Sequence, residues 1–323
     1  MFRISTYSQL LKSIVFTMLV AGLTAAQAPA GPRRPAAVPA DYLITPFGYF
    51  HSSCVKHLAK GDVLREDKNA VQHANGASEN VQQCAYPHFR ADGEVVTGNE
   101  PAGAQPPDIT HAWIEYASIH DSPNYAEVYA QWDVPPSPTS DDGQTLYFFN
   151  GLERWTNDLT IIQPVLGWNS DYSNAWGIAA WNCCYSGDTW EATPEHANPG
   201  DSLEGYVETT CSPGTKNCSQ WDIVIIDDDN GNFSQFIDVP NHGQSFDWAF
   251  GGVLEVYNIL QCSDYPGNRE SSLGGALGFY NQIVVNYEYV KITPGWTVSN
   301  VSGGLTPQCN YGGSLPKQVI LTY

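Results

Sequence analysis

Apolar and β-branched residues recur along this chain in short runs bounded by turn-forming clusters, and they alternate with polar residues at a period of two. The runs are Tyr125 to Val134, Thr145 to Asn150, Leu159 to Leu166, Ala175 to Trp181, Ser202 to Thr209, Trp221 to Asp227, Phe233 to Val239, Gly252 to Leu260 and Gln282 to Ile292. Period two places successive side chains on opposite faces of a strand. Many short strands without long helical periodicity predict an all-β fold, a sandwich or barrel of antiparallel sheets. Trp221 to Asp227, Asp228-Asp-Asn-Gly-Asn232 and Phe233 to Val239 read as a hairpin, with Asn230-Gly231 as the positive-φ pair of its turn. The Asp run there lacks EF-hand spacing and flanking helices, so it reads as a solvated turn rather than a calcium loop.

Two breaks divide the chain. Gly31 to Ala40 is rich in Pro, Ala and Arg, and Gly98 to Pro107 is rich in Pro and Gly. The organisation predicted is a signal peptide over 1–28, a linker over 29–40, a small N-terminal segment over 41–107 and a β-sandwich over 108–323. Within the small segment, Val63 to Gln83 is polar and of mixed charge, which predicts a helical or irregular path.

The first residues follow a secretory pattern: Arg3 and Lys12, an apolar run from Ile14 to Ala21, then small residues at Ala26-Gln27-Ala28. That run is too short for a membrane span. The mature protein is therefore expected outside the cell, without membrane or nucleic acid as a partner, and as a monomer. Asn-x-Ser acceptors at Asn217, Asn232 and Asn300 fit that compartment. So do eight cysteines, an even set that allows four disulfides. Cys211 and Cys218 are spaced to close a local loop, whereas the neighbours Cys183 and Cys184 are expected to face different partners. With no Cys-x-x-Cys pair and no His at ligand spacing, a metal is not expected.

Charge adds a working condition. Residues 41–90 hold five acidic and five basic residues, but 91–316 hold 29 acidic residues against four basic ones. Such a surface repels nucleic acid and anionic membrane at neutral pH and loses its self-repulsion in acid, so a low working pH is expected. The lysines of the small segment, Lys56, Lys60 and Lys68, raise the expectation of a prosegment held on the acidic domain and released in acid. An integrated subdomain stapled through Cys54 and Cys84 is the other reading.

Gly-x-Ser-x-Gly, His-Glu-x-x-His and phosphate-binding glycine loops are absent. Polar residues inside apolar strands stand out instead. Glu255 shares a face with Val253 and Tyr257, so its carboxyl should be desolvated and its pKa raised, as a general acid or base requires. Gln163 lies in Leu159-Thr-Ile-Ile-Gln-Pro-Val-Leu-Gly-Trp168, where an uncharged carboxamide has the character of an oxyanion stabiliser.

Several motifs share an order with a known family. Tyr129-Ala-Gln-Trp-Asp-Val-Pro135, Phe149-Asn-Gly-Leu-Glu153, Ile161-Ile-Gln-Pro164, Trp190-Glu-Ala-Thr-Pro194 with Pro199-Gly-Asp201, and Phe250-Gly-Gly-Val-Leu-Glu255 resemble the fungal glutamic peptidases, the eqolisins. Gln163-Pro-Val-Leu-Gly-Trp168 and Gly251-Gly-Val-Leu-Glu255 followed by Gly274-Gly275 are also similar to the plant neprosin family, which carries Glu where this chain has Gln163. The resemblance covers 126–290. It implies a concanavalin-like sandwich of two antiparallel sheets and a secreted, acid-active, pepstatin-insensitive endopeptidase acting on proteins or peptides without cofactor. Glu255 would activate the attacking water and Gln163 would hold the oxyanion. Trp132, Trp168 and Trp190 would line the cleft, with Glu153 and Glu191 as further substrate contacts. The rival is a glycoside hydrolase or lectin on the same sandwich, in which Glu255 pairs with Glu153 or Glu191 and Gln163 is dispensable.

Overall fold

The computed structural model describes residues 34–65, 70–96, 112–155, 160–183, 187–241, 245–267, 275–300, 309, 311–314 and 318–323. The proposed signal peptide, the first residues of the Gly31 to Ala40 break, the whole Gly98 to Pro107 break, Lys68, Cys184 and Gly274 lie outside them. Among the described residues the regular structure is strand, with two single-turn 3-10 helices.

Two large sheets face each other. One, the site sheet, runs in spatial order Thr297–Asn300, Trp113–Ile119, Trp248–Tyr257, Thr145–Glu153, Ile161–Trp168, Trp176–Cys183, Thr189–Ala192 and Val55–Leu58. Every pairing along it is antiparallel except the last, in which Val55–Leu58 lies parallel to Thr189–Ala192. The opposing sheet runs Phe233–Pro240, Gln220–Asp227, Ser202–Thr209, Tyr125–Asp133, Ala276–Asn286, Val319–Thr322 and Gly312–Ser314. This is the all-β sandwich expected from the alternation.

The strands of the opposing sheet show why. Ser202–Thr209 alternates half-buried and buried residues along its whole length, one face dry and one wet. The site-sheet strands Thr145–Glu153, Ile161–Trp168 and Trp248–Tyr257 are instead buried at every position. A strand buried on both faces must be covered twice. Here the opposing sheet covers one face and the N-terminal segment covers the other.

Between the sheets, Trp132, Phe148, Leu166, Trp168, Trp176, Leu203, Ile225, Leu254 and Phe279 belong to one core cluster. A close approach makes this packing possible at Gly205. A Cβ there would lie 2.5 Å from the Trp132 ring and 2.9 Å from Pro164 Cγ. Glu115 is also fully buried, and its Oε2 accepts a hydrogen bond from the Thr322 backbone N–H at 2.9 Å, tying the last strand to the site sheet. Burial pushes its pKa up to about 8, against the opposing pull of the Gly312 and Thr322 backbone groups.

The N-terminal segment departs from expectation. Val63 to Gln83 is neither helix nor wholly irregular, since Val63–Arg65, Ala70–Gln72 and Ser78–Asn80 form a small antiparallel sheet. Their mixed charge reflects exposure, as Ser78–Asn80 is solvent-facing throughout. A second small sheet, Tyr42–Thr45, Gly48–His51, His88–Phe89 and Val95–Val96, lies over the site sheet. Phe47, Tyr49, Phe50 and Phe89 from it join Tyr147, Phe149, Val165, Trp181, Trp248, Phe250 and Val253 in one cluster. Each such side chain contributes roughly 1.5–3 kcal/mol by leaving water. The segment is thus an apolar cap. Of its three lysines, Lys68 lies outside the described residues, Lys56 donates to Ser53 O, and Lys60 lies 3.6 Å from the Phe233 ring centroid. Among the described residues the contacts of Lys56 and Lys60 are thus with a main-chain carbonyl and an aromatic ring.

Cys54 bridges Cys84 inside the cap, Cys211 bridges Cys218, and Cys262 bridges Cys309. Cys183 is also disulfide-bonded. The predicted hairpin forms between Gln220–Asp227 and Phe233–Pro240, although of the Asn230-Gly231 pair only Gly231 has positive φ, at 76°. Asn230 instead donates its side-chain amide to Asp227 Oδ2 at 2.6 Å.

Candidate active site

Alternation in Ile161–Trp168 turns Ile161, Gln163 and Val165 toward the cap and Ile162, Leu166 and Trp168 toward the opposing sheet. Pro164 does not break the ladder, because Gln163 pairs with Trp181 and Pro164 with Ala180 in unbroken register. Gly151 lies beside Gln163. A Cβ at Gly151 would come 2.6 Å from Ile162 O and 3.3 Å from Gln163 Cβ, so glycine leaves the carboxamide its space.

Gln163 is fully buried. Its Nε2 donates to the backbone carbonyl of Pro46 at 2.8 Å, while its Oε1 is buried without a donor among the described residues. The local sequence explains why a carbonyl is offered there. Thr45-Pro-Phe-Gly48 is the turn between two cap strands, Pro favours its second position, and Gly48 takes φ +112° where a Cβ would meet Phe89 O at 2.4 Å. The turn tip is thereby pressed against the sheet with Pro46 O facing Gln163.

Three carboxyl groups share this covered face. Glu153, fully buried, pairs with Ile161 on one side and Trp248 on the other. It therefore stands diagonal to Gln163 on the adjacent strand, about 7–8 Å between backbones and within reach of one bridging water. Glu191 lies in the same row as Gln163 but beyond Trp181. Its Oε2 is 3.0 Å from Nδ1 of His57, which the cap strand brings alongside. Burial first, and then the neighbouring Asp171 carboxylate, push the Glu191 pKa up to about 10.

Glu255 is the third, and its neighbourhood is closed. Oε1 accepts from the Tyr257 hydroxyl at 2.5 Å and Oε2 from Trp113 Nε1 at 2.9 Å. Burial raises its pKa well above the usual carboxylate range, and these two hydrogen bonds oppose the rise. Desolvation of Glu255, expected from Val253 and Tyr257, is what the strand produces.

The register does not bring Glu255 to Gln163. Glu255 pairs with Tyr147, whereas Gln163 adjoins Gly151, four residues farther along the same intervening strand. At about 3.4 Å per residue that is roughly 13 Å, beyond what one shared water can bridge. Glu255, expected to activate the attacking water, and Gln163, expected to hold the oxyanion, are therefore set apart along the sheet by this register. The three expected cleft tryptophans also point elsewhere. Trp132 and Trp168 are in the core between the sheets, and Trp190 is in the neighbouring core cluster. Trp168 is five residues from Gln163 and Trp190 one from Glu191, odd separations that place each on the opposite face. The aromatic residues that do share the face with Gln163 are Tyr147, Phe149, Trp181, Trp248, Phe250 and Trp113. Of the glycosylation acceptors, Asn217 and Asn300 are exposed, and Asn232 is half-buried with its amide donating to His196 O.

No protein-family model and no curated protein matches this chain. Among solved structures it is similar to Scytalido-glutamic peptidase with a peptide-based transition-state analogue, at 15% identity and TM-score 0.46 over 65% of this chain and 98% of that one. It is also similar to SCP-B, a member of the eqolisin family of peptidases, in complex with the tripeptide Ala-Ile-His, at 15% identity and TM-score 0.45 over 65% and 98%. A third likeness is to the CBM2 module of the evolved Dit of Lactobacillus casei BL23 phage J-1, at 10% identity and TM-score 0.32 over 62% and 84%. At these values the functional reading rests on the site itself.

Proposed function

We propose that this chain is a secreted, acid-active glutamic endopeptidase whose centre is Gln163 with Glu153, and that residues 41–107 are a prosegment covering it. One observation carries the reading: a main-chain peptide carbonyl, that of Pro46, already sits 2.8 Å from the Gln163 amide. A substrate carbonyl taking that place would receive the same N–H, and the bond would strengthen as the oxygen becomes an alkoxide. Glu153 on the diagonal would take a proton from a water lodged between the two side chains. The resulting hydroxide attacks the carbonyl carbon, negative charge collects on the oxygen at Gln163, and Glu153 returns its proton to the departing amine as the C–N bond breaks. Neither a metal nor a cofactor enters these steps.

Glu191, holding its proton to about pH 10, stays neutral throughout the acid range and serves as a hydrogen-bond donor along the row. Glu255, closed in by Trp113 and Tyr257, is in this reading a buried polar anchor rather than the base. The Cys54–Cys84 bridge lies wholly within the cap, so the segment can leave without breaking it.

The test is hydrolysis of denatured casein between pH 2 and 7 in the presence of pepstatin, with the N-terminus of the active species determined. Expected are cleavage in acid, an active form beginning beyond residue 96, loss of about 10²–10³-fold in kcat for Gln163→Ala, and a larger loss for Glu153→Gln. Glu255→Gln should retain turnover wherever it folds. Full activity in Glu153→Gln, or none in a cap-free wild-type protein, would overturn the assignment.

A further inference from the structure

On the side of the site sheet away from Glu191, a groove of about 390 Å³ opens between Trp113–Ile119, Thr297–Asn300 and the chain just beyond Glu153. Its size suits a small ligand. We propose that this groove is a binding site for a neutral saccharide. The inference does not depend on the peptidase reading.

Aromatic rings form its walls. His120 and Trp155 stack at 4.4 Å and 8°, Trp155 meets Trp248 edge-on at 5.3 Å, and Tyr116 meets Trp248 edge-on at 6.1 Å. Asp247 fixes the stacked pair from beneath: its carboxylate accepts from the Trp155 backbone N–H at 2.8 Å, and its main-chain carbonyl is 2.6 Å from His120 Nδ1. Because the partner is a carbonyl oxygen, Nδ1 is the donor of that bond, which fixes the plane of the ring. Such a pre-set flat wall offers a face to the C–H side of a sugar ring at little ordering cost.

Hydroxyl-matching groups complete the lining. Ser118, Thr297 and Ser299 each offer a donor and an acceptor. Asp121, also in the lining, accepts from the Tyr125 hydroxyl at 2.7 Å through one oxygen. Trp248, whose ring lines the groove, also carries an indole N–H that is buried without an acceptor among the described residues, in a residue only 1% exposed. Among the described residues no Lys or Arg lines the groove to hold an anionic sugar. An aromatic peptide side chain would fill the space but leave the serine and threonine hydroxyls unmatched, which costs free energy on desolvation.

The experiment is calorimetry with neutral cello-, chito-, manno- and laminari-hexasaccharides, using full-length protein carrying Asn300→Gln so that no sugar on that neighbouring acceptor competes. At least one probe should bind with a change in tryptophan fluorescence. Trp155→Ala should weaken it about tenfold or more, from loss of one aromatic wall. Thr297→Trp, at an exposed position that fills the groove without touching the core, should abolish it, while Glu153→Gln leaves it unchanged. Absence of binding by every probe at millimolar concentration, binding that ignores both groove variants, or displacement by a Phe-containing tripeptide at equal affinity would overturn the proposal. Release of reducing ends lost in Glu153→Gln would uphold the groove and replace the peptidase reading with a glycosidase.

Discussion

Glu115 makes stability depend on pH in a direction opposite to that of most carboxylates. Its carboxyl is fully buried, and burial raises its pKa from 4.5 to about 8. In the unfolded chain the group ionises above pH 4.5, whereas in the folded chain it keeps its proton until about pH 8. The unfolded state therefore binds fewer protons across that window, and stability falls as pH rises through it. Each unit costs about 1.4 kcal/mol, so between pH 4.5 and 7 the group should remove about 3 kcal/mol. Glu115→Gln keeps an oxygen for the Thr322 N–H and removes the titration. Urea unfolding followed by tryptophan fluorescence at pH 4.5, 5.5 and 7.0 measures the difference. The two proteins should unfold at similar urea concentrations at pH 4.5, and the variant should be about 3 kcal/mol more stable relative to wild type at pH 7. Parallel pH profiles would refute the argument, because they would mean Glu115 is ionised, or equally protonated, in both states.

Three further outcomes follow from packing. Gly205→Val drives a side chain into the Trp132 ring and Pro164, and should lower stability by about 1–3 kcal/mol or more in thermal unfolding, with the sheet pairing intact by circular dichroism. Cys54→Ser opens a loop of separation 30 within the cap and should cost the cap about 3–4 kcal/mol, seen as faster proteolysis of residues 41–96 than of the sandwich. Tyr257→Phe removes the hydroxyl donated to Glu255 and should cost about 1–3 kcal/mol while raising the Glu255 pKa further, the first read by thermal unfolding and the second by carboxyl infrared bands.

Period-two alternation made most of the sandwich legible, and it marked Gln163 and Glu255 as polar groups on otherwise apolar faces. Parity alone also contained the correction for Trp168 and Trp190, whose odd spacing from Gln163 and Glu191 assigns them to the core. What alternation cannot carry is register between strands distant in sequence. The register shift on Trp248–Tyr257 at Gly251-Gly252 turns Trp248 and Phe250 onto the face of Glu255, and the slide of four residues that parts Glu255 from Gln163 exists only in the pairing. Trp113–Ile119 was hidden because Glu115 and Ser118 make it look polar, although both are buried against neighbours supplied by other strands. Pro46 and His57 bear on the site solely through the docking of the cap, a contact across more than a hundred residues of chain.

The parallel pairing of Val55–Leu58 with Thr189–Ala192 carries a consequence beyond concealment. The cap lends the sandwich its outermost strand, so its departure would uncover a raw sheet border of main-chain donors and acceptors directly beside Glu191. Such a border is adhesive to any extended chain. A molecule freed of residues 41–107 would thus exchange a built-in neighbour for a vacancy of the same shape, to be filled by a passing polypeptide or, at high concentration, by another copy of itself.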